Sequence, residues 1–72
     1  MLDYVVKRRI CTLSENRKTL WKKELNLISW NGATPKYDIR DWAPDHQKLS
    51  KGITLTEDEM NRIKDAILCG MI

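Results

Sequence analysis

The chain has 72 residues, 42% of them hydrophobic and 32% charged, with 13 Lys and Arg against 10 Asp and Glu. A chain of this length buries only about 60% of the surface it exposes when unfolded, which excludes a cofactor-binding α/β enzyme and leaves a lone copy marginal. No run approaches the roughly eighteen apolar residues of a membrane span, and Met1-Leu2-Asp3-Tyr4 is not a signal-peptide start, so a small cytoplasmic module that needs a partner is expected.

Tyr4 to Leu13 is rich in β-branched residues, free of Gly and Pro, and reads as a strand. Ser14 to Lys18 is polar and turn-like. From Trp21 to Trp30 the pattern alternates, with Leu25, Leu27 and Ser29 on one face and Asn26, Ile28 and Trp30 on the other. Asn31-Gly32 signals a turn, and Pro35 suits only a strand's start or edge. Lys36 to Trp42 alternates again: Tyr37 and Ile39 share one face, while Lys36, Asp38, Arg40 and Trp42 share the other. Ala43 to Ser50 reads as a loop and Lys51 to Leu55 as a short strand. Thr56 followed by Glu59 is a capping box, and Glu57 and Asp58 suit the positive start of a helix. Met60, Ile63, Ile67 and Met71 form its apolar stripe, widened by Ala66 and Leu68, and Gly70 is its stop. The expected fold is α+β, a four-stranded antiparallel sheet followed by one helix, in a single domain over residues 1–72.

Charge is unevenly divided along the chain. Residues 1–55 carry 11 Lys and Arg against 6 Asp and Glu, a net of +5, whereas residues 56–72 carry 2 against 4, a net of −2. A basic body suits a polyanion, although solvated lysines alone would give the same balance. Cys11 and Cys69 lie near opposite ends without metal-ligand spacing, so each is expected to be a small buried hydrophobe. His46 has no base or nucleophile beside it. Asp38 and Asp41 differ in strand parity and do not converge on one cation, so a salt bridge or loop cap is expected for each. The three glycines are scattered and build no phosphate-cradling loop. No enzyme activity, metal or cofactor is expected.

One helix covers one face of a small sheet, which leaves the other face to Trp30, Trp42, Lys36 and Arg40. Exposed aromatics among basic residues suit single-stranded nucleic acid, because bases stack on Trp while Lys and Arg follow the phosphates. The alternative is that the tryptophans fill a second core or a dimer contact. Trp21 has the opposite parity to Trp30 and is expected to pack.

The run Asp38-Ile39-Arg40-Asp41-Trp42-Ala43-Pro44, followed by Lys51-Gly52-Ile53-Thr54-Leu55-Thr56, resembles the family of the transcriptional coactivator positive cofactor 4. Leu13-Ser14-Glu15-Asn16, Trp21 to Asn26 and Ser29-Trp30-Asn31 resemble its bacterial YdbC-type branch. The resemblance covers residues 13 to about 67. It implies a curved ββββα domain, dimerised through its helix, with single-stranded DNA along the concave sheet face. It further implies base stacking by Trp30 and Trp42 and basic DNA contacts from Lys36, Arg40 and Lys51. Lys22 and Asn26 join them by strand parity, and Lys48 from the loop. Met60, Ile63, Ile67 and Met71 are the expected dimer contacts. Ile28 departs from the family pattern, standing where a basic residue can occur, and the acidic Ser-rich tail of the eukaryotic members is absent. Coactivation through that tail therefore does not carry over, and the implied role is single-stranded DNA binding in transcription regulation or DNA maintenance, nucleoid-associated in a bacterium. Two other readings stay open: single-stranded RNA binding by the same face, since stacking ignores the 2′-OH, and a protein-interaction module recruiting the transcription machinery.

Overall fold

The computed structural model describes residues 3–72. Four strands, β1 (Tyr4–Glu15), β2 (Lys22–Trp30), β3 (Lys36–Trp42) and β4 (Leu49–Leu55), precede one helix, α1 (Glu57–Leu68). The strands form one antiparallel meander in the order β1-β2-β3-β4, so the expected ββββα architecture is the observed one. Two strands run further than their composition indicates. β1 continues to Glu15, where Ser14 and Glu15 face Lys23 and Lys22, and Glu15 gains an opposite charge across the ladder. β4 begins at Leu49, which pairs with Trp42.

Local chemistry explains the joints. Asn31 and Gly32 both have positive φ, 51° and 77°, and the Ala33 N–H donates to the Trp30 carbonyl at 2.9 Å, which is the hairpin turn that Asn-Gly favours. At the start of α1, the Thr56 hydroxyl accepts from the Glu59 N–H at 3.1 Å and the Glu59 carboxylate accepts from the Thr56 N–H at 2.8 Å. At its end Gly70 turns left-handed, and the N–H groups of Gly70 and Met71 donate to the carbonyls of Ile67 and Ala66, closing a Schellman motif. Gly52 is required for a different reason. A Cβ there would overlap the Arg40 Cβ and the Ile39 carbonyl oxygen, so β4 crosses β3 closely only because the side chain is missing.

The core does not lie where one helix on one sheet face would put it. α1 touches only β3 and β4 and buries Met60 alone, while Ile63, Ile67, Leu68 and Met71 stay exposed. Lys64 reaches over Tyr37, which places the helix on the Tyr37/Ile39 face. The fully buried side chains Trp42, Ile28, Asn26 and Asp38 belong to the opposite face, which carries no helix. Curl accounts for this. The nine residues of β2 would span about 30 Å if straight, and Trp30 and the partner of Trp42, Lys22, stand at its two ends. Yet the Tyr4 ring lies 5.5 Å from Trp30 and 5.6 Å from Trp42. β1 carries register shifts at Val6/Arg8, Arg9/Cys11 and Thr12/Ser14, and such bulges bend and twist a strand. The sheet therefore folds its concave face onto itself. Both cysteines are free and exposed, which corrects the expectation that they pack inside.

Candidate nucleic-acid interface

Alternation puts Glu24, Asn26, Ile28 and Trp30 of β2 on the concave face with Lys36, Asp38, Arg40 and Trp42 of β3. Parity thus assembles the expected set, but the environments differ from the expected ones. Trp42 has 0% of its surface exposed. The loop residue His46 lies flat on it, with ring centroids 4.0 Å apart and planes 5° from parallel, and Tyr4 meets its edge. Trp30 is partly exposed, with the Arg40 guanidinium 4.6 Å above its ring. In the free chain, then, Trp42 is packed and Trp30 alone of the pair reaches solvent.

Arg40 is an expected phosphate contact, and in the free chain three of its five N–H donors are used within the protein. Nε and Nη2 donate to the two Asp38 carboxylate oxygens at 2.6 Å each, and Nη1 donates to the Ser50 carbonyl at 3.2 Å. Thr54 adds its hydroxyl to the same carboxylate at 3.0 Å. Asp38 and Arg40 are two apart on one strand, so their side chains emerge side by side, and the salt bridge expected for Asp38 is present. Asn26, the other expected contact, is buried and donates Nδ2 to Glu24 Oε1 at 3.0 Å. Ile28 is wholly buried, which gives a physical reason for an apolar residue at this position. Lys22, Lys36, Lys48 and Lys51 are exposed. The acidic groups of this face are paired internally, and the register puts the exposed Lys22, Lys36 and Arg9 on it, opposite Trp42, Ile28 and Asn26. Trp21 is half-buried at the β1–β2 end of the sheet, consistent with packing.

His46 is the residue that sequence reasoning left out. Its Nε2–H donates to Glu24 Oε1 at 2.9 Å, since a carboxylate can only accept. Burial pushes the Glu24 carboxyl up, but the hydrogen bonds from Asn26 and His46 and the charges of His46 and Arg9 outweigh it and hold the group below its ordinary 4.5. A carboxyl held lower in the folded state contributes stability that is present above its unfolded value and lost as pH falls through its folded value. The melting temperature should therefore drop as the pH falls below about 4.5, and Glu24→Gln should flatten that part of the profile. A Gln variant with an unchanged slope would remove Glu24 as the origin.

Among the described residues, three buried polar atoms on this face have no hydrogen-bond partner: Trp30 Nε1, Trp42 Nε1 and Asn26 Oδ1. Buried polar groups are ordinarily paired, so two indole donors and an amide acceptor are left over on this face.

Of the four expected dimer contacts, Met60 is spent inside the chain, while Ile63, Ile67 and Met71 are exposed beside Ile53 and Leu68. No helix among the described residues is long and apolar enough to cross a membrane.

The family model described as Transcriptional Coactivator p15 (PC4) matches residues 11–66. A protein of Treponema pallidum (strain Nichols), described as an uncharacterized protein, is 47% identical over 64 residues, covering 89% of this chain and 74% of that relative.

Proposed function

The chain belongs to the transcriptional coactivator p15 (PC4) family, a family that binds single-stranded DNA, and from that premise we propose that its concave face binds a single DNA strand without strong sequence specificity. The observation that carries this reading is the juxtaposition of Trp30, Tyr4 and the Trp42–His46 stack with the exposed Lys22 and Lys36 on a face no helix covers, with Lys48 and Lys51 exposed in the adjoining loop and strand β4. The rings offer flat apolar surface to unpaired bases, and the lysines neutralise phosphates. Arg40 and Asn26 serve this face from beneath: they hold its shape and keep the Asp38 and Glu24 carboxylates from opposing a polyanion. The role that follows is DNA binding in transcription regulation or DNA maintenance, with no catalytic step. Anisotropy titration with a homopyrimidine oligonucleotide at two salt concentrations tests the reading, and RNA of the same sequence as competitor separates DNA from general single-strand binding.

The working unit of this proposal is a homodimer. Ile53, Ile63, Ile67, Leu68 and Met71 give the single chain an apolar face that water would otherwise cover. Pairing two copies through it would leave both concave faces open and repeat them by twofold symmetry, giving channels for strands of opposite polarity. Light scattering at micromolar concentration should give twice the 8.5 kDa chain mass, and Ile67→Glu should shift the protein toward one chain mass. A wild-type monomer would end the dimer reading without touching DNA binding.

A further inference from the structure

His46 sits on Trp42 in the geometry of a stacked base. Its ring is parallel to the indole within 5° at a centroid separation of 4.0 Å, and it helps to cover a side chain that is 0% exposed. The residue reaches this position from the β3–β4 loop by adopting a left-handed backbone, φ 63°, a conformation histidine tolerates better than most residues. Glu24 holds the far side of the imidazole at 2.9 Å. The loop is pinned across its base, where the Ala43 N–H donates to the Lys48 carbonyl at 2.9 Å, and within its tip by the His46 N–H on the Ala43 carbonyl and the Gln47 N–H on Asp45. Apart from these turn bonds, the described contacts of His46 are the stack and the one hydrogen bond to Glu24. The Trp42 indole N–H, meanwhile, has no acceptor among the described residues.

We propose that His46 is an internal stand-in for a nucleobase, and that a single strand binds at Trp42 by displacing it. The inference rests on the single-strand reading and adds the step by which the covered slot opens. The ligand at this position is a base of an unpaired strand. It is larger than an imidazole, so it regains more stacking than it removes. The loop turns outward about Ala43 and Lys48 and carries the exposed Lys48 with it, toward the phosphates of the strand that replaces His46. The closed loop thereby lowers the apparent affinity by the fraction of molecules that are open.

The test compares wild type, His46→Ala and His46→Tyr by anisotropy titration, with proton spectra of His46 in the free and bound wild-type protein. His46→Ala removes the competitor and should tighten single-strand binding by about tenfold, the change expected where about one molecule in ten is open. His46→Tyr offers a larger ring and should weaken binding. In the free protein the His46 ring protons should be shifted upfield by the indole beneath them, and saturating oligonucleotide should return them to ordinary values. A complex in which those protons keep their shift, or an alanine variant that binds more weakly than wild type, would overturn the displacement while leaving single-strand binding intact. No affinity in wild type or either variant would overturn the function reading and this inference together. If His46→Ala fails to fold, the tyrosine variant and the wild-type spectra still decide the matter.

Discussion

Asp38→Ala should cost about 3–5 kcal/mol of folding stability, the usual result of deleting one partner of a buried ion pair. The Asp38 side chain is 0% exposed and that of Arg40 12% exposed, so removing the carboxylate leaves a guanidinium in a place water scarcely reaches. The Thr54 hydroxyl loses its acceptor in the same stroke. A 72-residue domain has about 4–11 kcal/mol to lose, at roughly 0.05–0.15 kcal/mol per residue. The variant should therefore be largely unfolded at moderate urea. Arg40→Met should be comparably damaging, because it strands the carboxylate. The double variant Asp38→Ala/Arg40→Met should recover part of the loss, since neither buried charge remains to be compensated. Urea denaturation of the four proteins closes the cycle. Additive losses, or an Asp38→Ala midpoint near that of wild type, would mean that the pair does not hold β3 and β4 in place.

The same pair shows how far alternation along a strand can be read. Residues two apart share a face, so the grouping of Lys36, Asp38, Arg40 and Trp42 is legible in the chain, and so is the neighbour relation of Asp38 and Arg40. The turn at Asn31-Gly32 and the capping box at Thr56 are legible for a like reason, because each depends on contacts within a few residues. Burial of the face is not legible in this way. It depends on curl, and curl depends on three register shifts in β1 that no composition or spacing marks. A flat sheet with the same alternation would have left Trp42 and Arg40 in solvent.

His46 illustrates the other limit. It stands 22 residues from Glu24 and four from Trp42, in a loop whose left-handed turn is set by local backbone bonds and whose aim is set by the curled sheet. Only the combination brings an imidazole over an indole. A weak signal did exist: a lone aromatic-like side chain in a short loop directly after a strand-terminal Trp can fold back onto it. The open helix face was legible in part, since the stripe from Met60 to Met71 is wider than β3 and β4 alone can cover.

Single-stranded DNA should bind more tightly than duplex of equal length, and this expectation separates stacking from charge. The net +5 of residues 1–55 would favour duplex if charge alone acted, because a duplex has the higher charge density. Unpaired bases can stack on Trp30 and, once His46 has moved, on Trp42, whereas paired bases can reach neither. Two stacks are worth about 2–6 kcal/mol, and displacing a stacked, partly exposed His–Glu contact returns about 1 kcal/mol of that. The advantage of the single strand should therefore lie at about 1–5 kcal/mol, from roughly fivefold to a few thousandfold. The variants then divide by what they touch. Lys36→Ala and Lys51→Ala should each flatten the salt dependence of single-strand binding by about 0.7 while leaving melting unchanged, since both side chains are exposed. Trp30→Ala should weaken single-strand binding by about 1–3 kcal/mol and barely affect duplex. Trp42→Ala is a poorer probe, because loss of a fully buried tryptophan costs about 3–5 kcal/mol of folding before any DNA is added. Arg40→Ala fails as a phosphate probe for the same reason, as it strands Asp38. Equal affinity of wild type for the two DNA forms, with Trp30→Ala unchanged on both, would leave a protein that reads only phosphate charge, and the stacking face would lose its function.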